Sequence, residues 1–260
     1  MIGAINAQED YQKSRNYWKY LKAKLKKENS EVVSVTTQLK MATPDGKRRF
    51  TDVLDADGVA LLARNIHNDG AMKFMDWFTY SDNSIDGQSR KKAYTLFESG
   101  LLDGISVGKV KGLQQIHAYL FGGLYDFAGQ IRQKTIWKDG TLFCRAEYLQ
   151  ENLRLIEQMP EGNFDEIVDK YVEMNVAHPF MEGNGRSTRI WLDLIFKARL
   201  GKCVDWSKID KKEYLSAMKK STTNAQPIKN LLQRALTDEI NSREMFMKGI
   251  DYSYYYEQAD

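Results

Sequence analysis

The sequence predicts a mainly α-helical protein: a helical core carrying one β-hairpin, preceded by a small α+β module. Three observations point there. Apolar residues recur at three-and-four spacing in long segments such as 110–127, 164–177 and 227–240. One Asp-Gly pair, Asp139-Gly140, lies between two short β-prone runs, Thr135-Ile136-Trp137 and Thr141-Leu142-Phe143. A second turn signal, Thr43-Pro44-Asp45-Gly46-Lys47, stands near the start between stretches that read as strands.

In chain order, residues from about 8 to 28 spell a basic, aromatic helix with Tyr11, Trp18, Leu21 and Leu25 at helical spacing and lysines between them. Glu31 to Thr36 is rich in β-branched residues and reads as a strand, and Arg49 to Val53 is placed to pair back after the turn. Asp55–Ile66 and Ala71–Phe78 read as helices, which gives a module over 1–80. The polar run Tyr80-Ser81-Asp82-Asn83-Ser84 marks the boundary to a second domain over 84–260.

That domain opens with a helix from about Asp86 to Gly100. A buried helix over Val110–Phe127 follows, with His117 read as a structural histidine on its apolar face. After the hairpin come helices over Tyr148–Met159 and Phe164–Ala177, then a Pro- and Gly-broken loop, then a helix from Asn184 carrying Ile190, Trp191, Leu194 and Ile195. Asp210–Thr222 (with Tyr214, Leu215 and Met218), Pro227–Ile240 and Arg243–Glu257 complete the set.

Composition is that of an ordinary globular chain: 260 residues, 42% apolar, 28% charged, net charge +3. That charge is too mild to argue for a nucleic-acid partner by itself. No apolar run approaches the roughly 20 residues of a membrane span, and no signal core follows the start, so a cytoplasmic, non-membrane protein is expected. Cys144 and Cys203 read as free thiols rather than as a disulfide or metal pair.

The chemistry concentrates in His178-Pro179-Phe180-Met181-Glu182-Gly183-Asn184-Gly185-Arg186-Ser187-Thr188-Arg189. Asn184 reads as the N-cap of the following helix, and the glycines leave backbone N–H groups pointing into the positive end of its dipole, which makes an anion hole. Arg186 and Arg189, three apart, share a face and carry forked donors suited to phosphate. Glu182 is a carboxylate placed to hold Mg²⁺ against such phosphates. His178 is the neighbouring side chain whose ordinary pKa suits a general base near neutrality.

This stretch resembles the Fic motif at every specified position. The resemblance implies transfer of AMP from ATP to a Ser, Thr or Tyr hydroxyl of a target protein. In it His178 is the base, Glu182 the Mg²⁺ ligand and Gly183, Asn184 and Gly185 the anion hole, with Arg186 on the β-phosphate and Arg189 on the γ-phosphate. Phe127-Ala128-Gly129-Gln130-Ile131-Arg132 is similar to the same family, in which a long helix leads into a flap hairpin over the site. By that likeness Ile136, Trp137, Lys138, Asp139, Gly140 and Phe143 form the flap, which docks the target by strand addition.

Ser253-Tyr254-Tyr255-Tyr256-Glu257-Gln258 resembles the family's inhibitory helix, here within about 243–258. Ser253 and Glu257 match its pattern and Gln258 departs from its usual Gly or Asn. The implication is self-inhibition, with Glu257 paired to Arg189. Residues 17–78 resemble the Bro-N domain of phage antirepressors, through Tyr17-Trp18-Lys19, Gln38-Leu39-Lys40 and Thr51-Asp52-Val53. That implies DNA contact through residues 13–49, where Lys and Arg outnumber acids by 11 to 3. Two alternatives stay open: transfer of another phosphate-linked group such as UMP or phosphocholine, and a DNA-associated regulator whose Fic site senses nucleotide. The target, the releasing signal and the oligomer, including a homo-oligomer, stay open as well.

Overall fold

The structure is a computed structural model that describes residues 2–257 except 7, 9, 29, 43–46, 67, 82, 139 and 140. The expected turn at Thr43–Gly46, the Asp139-Gly140 turn and Gln258 lie outside the described residues. The chain divides into two compact units, residues 1–83 and 84–260.

The first unit holds α1 (Ile2–Ile5), α2 (Tyr11–Lys27), α3 (Glu31–Ser34), the strands β1 (Thr37–Ala42) and β2 (Arg48–Val53), α4 (Ala56–Arg64) and α5 (Asp69–Ser81). Asp10 caps α2, its carboxylate accepting from the N–H groups of Gln12 and Lys13. Leu21 and Leu25 of α2 are buried, as are Leu61 and Leu62 of α4 and Met75 of α5. β1 and β2 pair antiparallel from Thr37↔Val53 to Ala42↔Arg48. The strand expected over Glu31–Thr36 is instead the single turn α3. Val32 is fully buried and its carbonyl accepts from the Thr36 hydroxyl at 2.6 Å, so burial of one valine outweighs the β-branched run.

The second unit is helical, with two two-stranded ribbons among the described residues. It runs α6 (Ile85–Glu98), α7 (Val110–Phe121), β3 (Trp137–Lys138), β4 (Thr141–Leu142), α8 (Ala146–Gln158), α9 (Phe164–Ala177) and α10 (Asn184–Leu200). Then come β5 (Cys203–Val204), α11 (Lys211–Lys220), α12 (Gln226–Ala235), β6 (Leu236–Thr237) and α13 (Arg243–Tyr255). Its core is the packing of α10 on α7, α9 and α13, in which Trp191, Leu192, Ile195 and Phe196 of α10, Leu113 and Leu120 of α7, and Tyr171 and Met174 of α9 are all buried. Burying each such side chain stabilises the unit by about 1.5–3 kcal/mol. Among the described residues no helix is long and apolar enough to cross a membrane, and both cysteines are free.

Two further expectations are corrected here. The helix expected to reach Phe127 stops at Phe121, because Gly122 and Gly123 leave the helix, Gly123 with φ 76, and the N–H groups of Leu124 and Tyr125 both return to the Phe121 carbonyl. The helix expected over Pro227–Ile240 ends at Ala235. Leu236 and Thr237 pair with Val204 and Cys203, a non-local contact that a local pattern does not carry.

Candidate active site

The site forms where the end of α9 meets the start of α10. His178 closes α9 in a left-handed conformation, φ 47, the one non-glycine residue with positive φ among the described residues. A side chain there is strained, and the strain persists because the surroundings fix it. Its imidazole stacks on Phe143 at 3.8 Å and 19°, and Nδ1 lies 3.3 Å from the Asn175 carbonyl. A carbonyl can only accept, so Nδ1 carries the proton and Nε2 the basic lone pair.

Gly183 (φ 78) opens α10, and a Cβ there would meet the Phe121 ring at 2.4 Å, so both the turn and the close approach require glycine. Asn184 does not cap the helix as expected. Its amide turns back and clamps Phe180, accepting from the Phe180 N–H and donating to its carbonyl, each at 2.8 Å. The cap position belongs to Gly183, which brings no side chain, so the first-turn N–H groups of α10 receive no capping oxygen from it. His117, fully buried, holds the same loop from behind. Nδ1 accepts from the Gly129 N–H at 2.8 Å, so Nε2 donates to the Glu182 carbonyl at 2.9 Å. Burial pushes its pKa down to about 4, which keeps the ring neutral in this role. It is structural, as the sequence suggested.

The two arginines diverge in their partners. Arg186 pairs with Asp86 of α6 and with Glu182 Oε1 at 3.1 Å, and its guanidinium lies over the Phe121 and Tyr254 rings. Arg189 is 2% exposed, and donates to the Ser253 hydroxyl and carbonyl, each at 2.8 Å, to the Tyr214 hydroxyl at 3.1 Å and to Glu257 Oε1 at 2.5 Å. Full burial works against its charge, but Tyr214 and Glu257 outweigh that and push the guanidinium's pKa up.

The tyrosine run that delivers Glu257 is packed throughout. Tyr254 bonds Ser89, and Tyr256 donates to the carbonyls of Trp206 and Ile209. The Glu257 carboxylate rests against Gly185, where an added Cβ would stand 2.0 Å from Oε1. Among the described flap residues, Trp137 is 66% exposed and pairs with Leu142, Ile136 accepts from the Phe143 N–H, and Phe143 turns inward onto His178. The sequence reading missed Asp86, which bears no local signal, and the role of Arg132, whose side chain is 4% exposed and hydrogen-bonds four backbone carbonyls around the site.

The Fic/DOC family model matches residues 108–196, a span from just before α7 through the motif and into α10. Residues 108–196 are a Fic/DOC family domain. The Fic domain has curated relatives. Protein adenylyltransferase VbhT of Bartonella schoenbuchensis is 28% identical over 152 residues, covering 54% of this chain and 32% of that protein. A probable protein adenylyltransferase Fic of Escherichia coli K12 is 28% identical over 116 residues, covering 40% and 58%. This chain thus spans about a third to somewhat over half of those relatives' length. The solved N-terminal Fic domain of the Bep8 protein from Bartonella sp. 1-1C superposes with a TM-score of 0.50 at 21% identity, covering 60% of this chain and 85% of that one, and so shares the fold.

Proposed function

We propose that this protein is a protein adenylyltransferase that moves AMP from Mg-ATP to a Ser, Thr or Tyr hydroxyl of a target protein and is held inactive by its own Glu257. The observation that carries this reading is the Glu257 carboxylate. An anion already lies at the mouth of α10, bonded to Arg189 at 2.5 Å and seated on Gly185, where the outermost phosphate of a nucleotide would bind.

The residues fit the chemistry. His178 Nε2 takes the proton of the target hydroxyl, whose oxygen attacks the α-phosphorus, and pyrophosphate leaves with the bonding electrons. Gly183, Asn184 and Gly185 present the helix mouth, with Arg186 facing the β-phosphate and Arg189 the γ-phosphate. Arg186 Nε and Ser187 Oγ are buried with no hydrogen-bond partner among the described residues, which suits an incoming phosphate. Glu182 fits Mg²⁺, since its side chain is 43% exposed and its hydrogen bonds use Oε1. Among the described residues no three His, Cys, Asp or Glu side chains converge as a metal site, as suits an ion held largely by phosphate oxygens. Bound there, Mg²⁺ would offset phosphate charge.

The exposed Trp137 and Leu142 support target docking by strand addition at the flap. A groove in the first unit lined by Arg15, Lys19, Lys22, Lys26 and Arg49, with Trp18 and Phe50, supports DNA contact by that module. Salt-sensitive retention of a labelled duplex by the full chain tests it. The main experiment is a mass spectrum of the Glu257→Gly protein after incubation with Mg-ATP. An added AMP is expected, and an unmodified mass with every added protein substrate also unlabelled overturns the reading.

A further inference from the structure

Arg132 is a buried guanidinium whose hydrogen bonds go to backbone carbonyls at two places that are far apart in sequence. Nε donates to the His178 carbonyl at 2.8 Å and one terminal nitrogen to the Ala177 carbonyl at 3.1 Å, both at the negative end of α9. The other contacts go to the carbonyls of Lys134 and Cys144, the two ends of the flap stretch. Its own N–H donates to the Pro179 carbonyl at 2.9 Å, and the Cys144 N–H donates to the Val176 carbonyl at 3.1 Å. The planar fork therefore fastens both flap ends to two successive residues of the His178 turn, Ala177 and His178, and the backbone N–H of Arg132 adds Pro179. His178 needs such a fastening, since its backbone is held at positive φ and its ring is placed by stacking on Phe143, itself a flap residue.

We infer that Arg132 is a positioning residue that couples the flap to the base, so that a strand added to the flap and the imidazole beside it keep one fixed relation. The inference rests on the adenylyltransferase reading. Arg132 touches no reacting atom. It acts by holding the His178 Cα and the Phe143 ring together, and a misplacement of about 1 Å in such a relation costs roughly 100-fold in rate. Lysine cannot replace it, because a single ammonium has three donors and no planar reach to carbonyls on both sides.

The test uses the full chain in the Glu257→Gly background, with Arg132→Ala, Arg132→Lys and, as control, His178→Ala. Self-transfer of AMP at saturating Mg-ATP, ATP affinity by titration and folding by circular dichroism are read together. Both Arg132 variants are expected to lose at least about 10-fold in transfer rate, with ATP affinity kept within about two-fold, and added guanidinium should restore part of the rate to Arg132→Ala but none to His178→Ala. Full rate in either Arg132 variant, a matching loss of ATP affinity, or failure of both to fold overturns the inference and leaves Arg132 a stability residue. If the Glu257→Gly parent itself transfers no AMP, it is the adenylyltransferase reading that fails.

Discussion

Glu257 fills the space that a side chain at position 185 would need: its Oε1 lies 2.0 Å from where a Cβ on Gly185 would stand. On the adenylyltransferase reading proposed above, the Glu257 carboxylate and a nucleotide phosphate would compete for one glycine-lined spot. Glu257→Gly is expected to raise self-modification at least about 10-fold, since an Arg–carboxylate pair of this kind is among the stronger hydrogen-bonded contacts. Gly185→Ala added to that background should remove the gain and weaken ATP binding, because the new methyl enters the same spot. Mass spectrometry and an ATP titration check both outcomes.

His178→Ala in the released protein should abolish transfer, by about 10²–10⁴-fold for a lost general base. ATP binding should change little, since the imidazole is placed by Phe143 and Asn175 and the phosphates are held by Arg186 and Arg189 on the proposed reading. Radiolabel transfer alongside the titration separates the two.

Gly183→Ala should destabilise the fold. A non-glycine residue at φ 78 costs about 1–3 kcal/mol, and the Phe121 ring lies 2.4 Å from the new Cβ. Thermal unfolding should show a fall in Tm of roughly 2–12 °C, at about 2–4 °C per kcal/mol for a chain of this size.

Asp193 gives the stability a pH dependence. Burial pushes its carboxyl from 3.8 up to about 7, against the pull of hydrogen bonds from Trp206 Nε1 and the Val204 N–H. Between those two values the folded chain keeps a proton that the unfolded chain has lost, so stability falls as pH rises through that window and levels off above it. From pH 5 to pH 7 the loss is about 2–3 kcal/mol. Comparing denaturation midpoints of wild type and Asp193→Asn at pH 5 and pH 8 checks the sign: the wild type should lose ground to the variant at the higher pH.

Much of the site was legible because its signals are local. His178, Glu182, the two glycines and both arginines fall within twelve residues, where loop and helix start are written by Pro179, Gly183 and Gly185. The expected pairing of Glu257 with Arg189 came from a resemblance, and the structure places these side chains in contact. The misread elements are those decided at a distance. Glu31–Ser34 becomes a helical turn because Val32 has a core to enter, and Leu236 leaves its helix because Val204 is there to pair with it.

The sequence by itself determined the long helices, though not all of their ends, since they carry a 3.6-residue apolar period, and the identity of the groups at the mouth of α10, since those groups are neighbours along the chain. Only the tertiary structure decided that Asn184 clamps Phe180, that Asp86 meets Arg186 across 100 residues, and that Arg132 ties the carbonyls of Lys134 and Cys144 to the His178 turn. Each of these depends on where a backbone carbonyl or carboxylate from another segment comes to rest, and hydrogen bonds to distant backbone leave no periodicity in the chain that makes them.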